Sequence, residues 1–219
     1  MVVPTQIKAQ DFFDTSEPAE FFTIGARIGF NTSNRTFPNG YYVNQIFTTW
    51  GTGFNVGAIA NLNFKDYLTL QPGLFFESRS GNLMNVAEFE RAGDDYVYYE
   101  KDHMRNYYLT VPVMGIVNFN LAENIRWKVE FGPYLQFSLK QTGSQNDVNL
   151  IYFNPIDHQF VHYQAKHHSF DFGLKIGTGL QFYEHYYVGV HYLAGLCNAW
   201  STPSGGRNKS WMFTLGYDF

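Results

Sequence analysis

The chain has 219 residues, of which 15 are Lys or Arg and 19 are Asp or Glu, so its formal net charge is −4. Aromatic residues make up 19% of the sequence and charged residues only 16%, which excludes an intrinsically disordered chain. The small acidic excess argues against a nucleic-acid-binding protein, which would carry a basic stripe. Cys197 is the only cysteine, so neither an internal disulfide framework nor a cysteine-cluster metal site is possible.

Most of the sequence alternates apolar residues with polar or small ones, which is the two-residue period of a β-strand. In the first such segment, residues 21–31, Ile24 and Ile28 lie on one face and Gly25 and Arg27 on the other. The same alternation predicts seven further strands, at residues 50–64, 67–78, 107–119, 125–140, 169–182, 186–198 and 209–219.

The predicted connections alternate in length along the chain. The long ones cover residues 32–49, 79–106, 141–168 and 199–208, and the short ones cover residues 65–66, 120–124 and 183–185. An even number of strands joined in this way is typical of outer-membrane barrels. The sequence therefore predicts an all-β fold, an eight-stranded antiparallel up-and-down transmembrane β-barrel with short periplasmic turns, long extracellular loops and both termini periplasmic. Residues 1–20 are predicted to form a periplasmic N-terminal segment and residues 21–219 the barrel domain.

The two faces of the predicted strands differ in a way that indicates which one meets lipid. The polar face is rich in glycine, which weakens a solvent-exposed strand but suits a narrow lumen that side chains must share. The apolar face carries aromatic residues at both ends, as in the girdles at the two membrane interfaces. The alternative, a soluble lipocalin-like barrel, would have to hold these rings inside, where they would overfill eight strands.

Five of the predicted strands carry sequence motifs. They read FTIGARIGFN at 22–31, YYLTVPVMGIVNF at 107–119, FGPYLQFSL at 131–139, FDFGLKIGTGLQF at 170–182 and WMFTLGYDF at 211–219. Over about residues 21–219 the chain resembles the PorT-like outer-membrane β-barrel family of the Bacteroidota, a group with the outer membrane protein beta-barrel domain. The resemblance implies a Gram-negative outer-membrane location. The family's namesake belongs to a protein secretion system, but the resemblance does not extend that role to this chain.

The last predicted strand ends on outward-facing aromatic residues. Trp211, Phe213, Tyr217 and Phe219 resemble the β-signal that barrel-assembly machinery reads. The expected partners are therefore this machinery and the outer-membrane lipid with its lipopolysaccharide, together with a protein partner if the chain is part of an envelope complex. No nucleic acid and no cofactor are expected.

Charged residues of both signs fall on the predicted inward face. Because isolated charges are costly in a narrow lumen, we expect them to pair across strands and to form a polar network that closes the barrel. The alternative is a small ion-conducting pore. The candidate network consists of Arg27, Glu77, Lys128, Glu130, Asp171 and Lys175.

The second long connection mixes acidic residues with tyrosines, and the flanking strands can extend here as an exposed β-ribbon. Such a surface suits a protein partner, a glycan, or lipopolysaccharide bound through divalent cations. The binding candidates are Asp94, Asp95, Tyr96, Tyr98 and Tyr99.

No catalytic or metal-binding pattern is convincing. His158 and His162 have a spacing that suits a metal on a helix, but their segment lacks helical periodicity, so no metal site is predicted. Ser169 is predicted to point inward and follows His167 and His168, but adjacency in sequence is not the geometry of a catalytic triad. We therefore expect a non-enzymatic, structural or accessory protein that presents its loops for binding, alone or within an envelope or secretion complex. A lipid-modifying enzyme is the alternative.

Overall fold

The computed structural model describes residues 12–36, 44–91, 94–142, 147–154, 159–166, 168–199 and 206–219. It describes the side chains of residues 12–35, 49–82, 103–140, 168–199 and 206–219. Within these ranges, no helix is long and apolar enough to cross a membrane.

The described residues form ten β-strands. They are β1 (Phe22–Thr36), β2 (Asn44–Lys65), β3 (Leu68–Arg91), β4 (Asp94–Ala122), β5 (Ile125–Thr142), β6 (Asp147–Asn154), β7 (Gln159–Lys166), β8 (Phe170–Phe182), β9 (Tyr186–Gly195) and β10 (Arg207–Asp218).

Eight of these strands close into an antiparallel barrel in the order β1-β10-β9-β8-β5-β4-β3-β2. Closure is made by β1, in which Ile28 pairs with Val56 of β2 on one side and with Leu215 of β10 on the other. A closed sheet satisfies the backbone hydrogen-bonding groups around its circumference, which lipid cannot do. The predicted eight-stranded antiparallel barrel is confirmed.

The alternation in sequence places the two faces as predicted. Apolar residues of the outer face are largely exposed, for example Ile28 at 62% and Leu215 at 58%, whereas inward residues such as Glu130 and Ile116 are buried. An apolar band around a barrel with a polar interior is the arrangement of a lipid-facing surface.

The structure corrects the predicted connections at one end of the barrel, which we call the loop end. There, β3 and β4 continue as a hairpin until Arg91 pairs with Asp94, so most of the predicted loop 79–106 is paired strand. The predicted loop 141–168 contains a separate two-stranded sheet, β6–β7. The β3–β4 extension agrees with the exposed β-ribbon expected within this connection, whereas the β6–β7 hairpin was not predicted, because a strand outside lipid does not need an apolar face.

At the opposite end, which we call the turn end, residues 66–67, 123–124 and 183–185 join consecutive barrel strands. The predicted turn 120–124 is shorter in the structure because β4 continues to Ala122. In the last turn, Tyr183 and Glu184 both have positive φ angles, of 51° and 64°. Non-glycine residues occupy this left-handed region at a cost in free energy.

The described part of the N-terminal segment, residues 12–20, packs against the turn end. The Phe13 ring lies 4.4 Å from that of Tyr67, and Phe12 stacks on Phe119 at 5.1 Å. The Ser16 carbonyl accepts a hydrogen bond from the backbone N–H of Asp66. The Ser16 backbone N–H donates to Asp14 and lowers the pKa of that carboxyl below its usual value.

Candidate functional site

The lumen near the turn end contains a buried ion pair between adjacent strands. Arg27 of β1 and Asp218 of β10 lie 2.6 Å apart between Nη1 and Oδ1, and their side chains are only 3% and 5% exposed. The other carboxylate oxygen of Asp218 accepts a hydrogen bond from Gln181. The Arg27 guanidinium also stacks over the Tyr187 ring at 4.6 Å from its centroid.

A second buried cluster is centred on the Glu130 carboxylate. Tyr187 donates its hydroxyl hydrogen to Glu130 Oε1 at 2.5 Å, and Glu130 Oε2 lies 2.9 Å from His191 Nε2. Glu130 pairs with Gly177 on β8, and Gly177 pairs in turn with His191 on β9. Because Gly177 has no side chain, Glu130 and His191 meet across the strand that separates them.

The third cluster lies nearer the loop end. Arg79 donates to Glu77 Oε2 from Nη2 at 2.6 Å and from Nε at 3.0 Å. Gln136 donates to the same carboxylate oxygen and to Thr110. Glu77 and Arg79 belong to one strand, so this ion pair does not run across strands as predicted.

The remaining three members of the predicted network are buried without forming an ion pair within the described residues. Asp171 accepts a hydrogen bond from Asn208, and the Lys175 ammonium lies 5.1 Å from the centre of the Phe75 ring. Lys128 lies at the inner wall of a cavity at the turn end. All six predicted residues therefore lie in the lumen, but they do not pair among themselves.

The groups that the predicted inward charges contact are mostly residues outside the candidate set. Arg27 pairs with Asp218, Glu77 with Arg79, and Glu130 with Tyr187 and His191. Asp218, Tyr187 and His191 lie on the inward face of predicted strands, so the alternation identifies them as lumen residues. Arg79 lies just beyond the predicted end of its strand, in the predicted connection 79–106. The alternation does not say which lumen residues meet.

The middle of the lumen is filled by packed side chains. Tyr134, Leu193 and Met212 form an apolar cluster there, and each is 1% exposed. Two cavities lie on either side of this packing. The turn-end cavity has a volume of about 190 Å³, and the loop-end cavity, of about 30 Å³, holds roughly one water.

Glycines make room for the large lumen side chains. A Cβ atom at Gly216 would lie against the Arg27 side chain, and one at Gly179 would lie against the Tyr187 ring. The glycine-rich inward face therefore reflects the limited space of eight strands, as the sequence indicated.

The other predicted site residues fall outside the lumen. Asp94, Asp95, Tyr96, Tyr98 and Tyr99 belong to β4, but their side chains lie outside the described part of the structure. The aromatic residues of the predicted β-signal are all exposed at the outer face of β10 or just after it. They are Trp211, Phe213, Tyr217 and Phe219.

The histidine-containing segment, within the predicted connection 141–168, is only partly described by the structure. His158, His167 and the His162 side chain lie outside them, whereas His168 and Ser169 are exposed. Ser169 precedes β8, which begins at Phe170, so the alternation on which its predicted inward orientation depends does not include it. Among the described side chains, no three His, Cys, Asp or Glu residues are placed to hold a metal ion.

Solved structures with the same architecture are similar to this chain in fold only. They include Ail of Yersinia pestis (15% identity, TM-score 0.43, covering 91% of this chain and 100% of that chain). Neisserial surface protein A, NspA, has 11% identity and a TM-score of 0.45, covering 93% and 100%. OprG of Pseudomonas aeruginosa has 10% identity and a TM-score of 0.45, covering 94% and 98%. No curated protein matches the sequence at a significant level.

A sequence model of one protein family matches most of the chain, residues 8–200. The match covers the N-terminal segment, residues 12–20, and most of the closed barrel. The outer face of this barrel is apolar and its lumen is polar. The chain therefore belongs to the family defined by the outer membrane protein beta-barrel domain, and it is a β-barrel protein of the Gram-negative outer membrane.

Proposed function

We propose that this protein is a non-enzymatic, structural or accessory component of the outer membrane that binds an external partner through the sheet extending beyond its barrel. The observation that carries this proposal is an unpaired strand edge. β4 pairs with β3 as far as Asp94, but its pairing with β5 begins only where Arg105 meets Thr142. Within the described residues, the stretch Asp94–Met104 therefore has a strand on one side only.

An unpaired edge of this length is a ready template for another strand. It presents a row of backbone N–H and C=O groups over about 35 Å, at roughly 3.3 Å per residue. Proteins use such edges to bind extended peptide segments by main-chain hydrogen bonding. The stretch also contains the binding candidates Asp94, Asp95, Tyr96, Tyr98 and Tyr99, whose acidic character favours a basic partner and disfavours pairing with a second copy.

The orientation of the barrel is part of the proposal. Residues 12–20 and the last residue of the chain lie at the turn end, and the extended sheet lies at the loop end. Outer-membrane barrels place short turns in the periplasm and long connections outside. We therefore assign both termini to the periplasm and the extended sheet to the cell exterior.

The finer assignments depend on sequence motifs and on the exposed aromatic residues. We place the chain in the PorT-like group of the Bacteroidota on the five strand motifs. We also propose that Trp211, Phe213, Tyr217 and Phe219 are recognised by barrel-assembly machinery, and their exposure on the last strand supports this. A role as a subunit of an envelope or secretion complex would give the unpaired edge a natural partner.

A deletion within the extended sheet tests the proposed binding surface. Leu83 pairs with Asp102, so residues 84–101 can be replaced by an Asn-Gly turn without changing the barrel. The matched control replaces residues 148–165 of the β6–β7 hairpin in the same way, between Asp147 and Lys166. Both variants and the original chain are purified from outer membranes in mild detergent, and co-purifying proteins are identified by mass spectrometry.

We expect a stoichiometric partner with the original chain and with the control, but not with the 84–101 variant. A partner that remains bound to the 84–101 variant, or that is lost only from the control, would contradict the proposal. Single-channel recordings test the pore alternative. Because Tyr134, Leu193 and Met212 fill the mid-lumen, we expect no conductance steps.

Among the described residues, the enzyme alternative lacks an exposed histidine that forms an ion pair with a carboxylate side chain. His191, the histidine that contacts a carboxylate there, is buried with Glu130 in the lumen. A lipid substrate at the outer face cannot reach it. Lipid A mass spectra that change on expression of the protein would contradict this reasoning.

A further inference from the structure

Among the described side chains, exposed charges are segregated between the two ends of the barrel. Among the described side chains at the loop end, the two carboxylates, Glu77 and Asp171, are buried in the lumen. Apart from Arg79, which is buried with Glu77, the cations there are exposed or half-buried: Arg35, Arg105, Lys140, Arg207 and Lys209. The turn end has the opposite character, with exposed or half-buried Asp14, Glu17, Glu20, Asp66, Glu123 and Glu184 against Lys65 and Arg126.

Two of the loop-end cations lie on the outer face of β10. Asn208 and Ser210 are buried toward the lumen, so Arg207 and Lys209 lie on the same outward face as Trp211. Neither cation forms an ion pair with a described residue. Arg105 on β4 and Lys140 on β5 place further positive charges on the opposite side of the barrel.

Aromatic side chains lie beside Lys209 and further along the same outer face of β10. The Lys209 ammonium lies 5.5 Å from the centre of the Trp50 ring, and the Trp211 ring lies 4.9 Å from that of Tyr192. Trp and Tyr on the lipid-facing surface of a membrane protein mark the level of the lipid headgroups. Arg207 and Lys209 are therefore placed at the level of the headgroup phosphates.

We propose that Arg207 and Lys209, with Trp50 and Trp211 beneath them, form a binding site for a phosphorylated lipid of the outer leaflet. A guanidinium matches two phosphate oxygens at once, and a lysine ammonium adds a mobile point charge. The indole rings pack against the adjoining acyl chains and hold the lipid close to the cations. The site depends on the orientation proposed above, because the loop end must face the outer leaflet, but it is separate from the β4 edge.

Lipid binding to the purified full chain in non-ionic detergent tests the proposal. Bisphosphorylated lipid A is titrated and the bound fraction is measured by native mass spectrometry. The test variant is R207Q/K209Q, and K65Q at the turn end is the matched control for loss of one cation. Heat-dependent gel mobility establishes that every variant keeps the closed barrel.

We expect R207Q and K209Q each to weaken lipid A binding by about fivefold, and the double variant R207Q/K209Q to weaken it by about 25-fold. This is the usual effect of a basic side chain near an anionic lipid surface. K65Q should bind as the original chain does, and lipid A without phosphates should bind the original chain as weakly as lipid A binds the double variant.

Three results would overturn the proposal. They are unchanged binding by R207Q/K209Q, equal binding of dephosphorylated lipid A, and displacement of lipid A by an equal concentration of inorganic phosphate. The orientation is measured separately, by labelling K140C, in a chain that also carries C197S, in intact cells with a membrane-impermeant reagent. Lack of labelling there, with lipid A binding intact, would refute the orientation and the outer-leaflet assignment, whereas the binding variants test the site itself.

Discussion

Replacing Arg27 by methionine should destabilise the barrel more than any change of an exposed charge. The Arg27 and Asp218 side chains are almost completely buried, and their charged atoms are 2.6 Å apart. The substitution keeps most of the side-chain volume but leaves the Asp218 carboxylate inside the lumen with Gln181 as its remaining hydrogen-bond donor.

The size of the effect follows from the separation and the burial of the pair. Two unit charges at this distance attract each other by about 6 kcal/mol at an effective dielectric constant of about 20. The desolvation of both groups offsets much of this attraction, so the net value of the pair is small. Removing one partner forfeits the attraction while the other group stays desolvated, which costs about 3–5 kcal/mol.

Urea unfolding in detergent micelles, followed by gel mobility, measures the change in the free energy of unfolding. The control is Lys140→Met, which removes an exposed cation and should change that free energy by less than about 0.5 kcal/mol. The double variant Arg27→Met/Asp218→Asn removes both charges, so it should be less destabilised than the sum of its single variants by at least about 2 kcal/mol. Additive effects, or a single variant as stable as the control, would refute a coupled buried pair.

Three further substitutions test other parts of the structure by the same unfolding assay or by proteolysis. Gly177→Ala should destabilise the barrel by about 1–3 kcal/mol, because the new Cβ would displace His191 from its carboxylate partner, and unchanged stability would contradict that packing. Glu184→Gly should raise the free energy of unfolding by about 1 kcal/mol by relieving a positive φ angle, and a loss would show that the side chain matters more than the backbone. Phe13→Ala should release the N-terminal segment from Tyr67, seen as faster proteolysis before residue 20 with an intact barrel, whereas equal proteolysis would show that the ring contact does not hold it.

The barrel strands were predictable wherever both faces have a defined environment. In β8, every second residue faces lipid and, apart from Thr178, is apolar, and the residues between them face a crowded lumen and are small or polar. Lipid requires apolar side chains and the lumen requires small or polar ones. The two-residue period of a strand can therefore be recognised in the sequence along the membrane-spanning part of each strand. Outside lipid this constraint ends, and for that reason the alternation predicts a loop where the β6–β7 hairpin lies and gives the β3–β4 extension only as a β-ribbon within a long connection.

The composition of the lumen was also predictable, but its pairing was not. Glu77 finds its partner two residues away on its own strand, whereas Glu130 finds His191 across an intervening strand. Such contacts depend on the register between strands, on the curvature of the barrel and on the space left by glycines. A periodic pattern within one strand contains none of these quantities.

By itself, the sequence determined the fold class, the number of barrel strands and the face of each strand that meets lipid, because these follow from the local alternation of residues. Only the tertiary structure decided that Arg27 meets Asp218, that apolar packing fills the mid-lumen, and that, within the described residues, β4 has an unpaired edge at the loop end. Contacts between distant parts of the chain arise from strand register and closure, which become defined only when all eight strands are assembled.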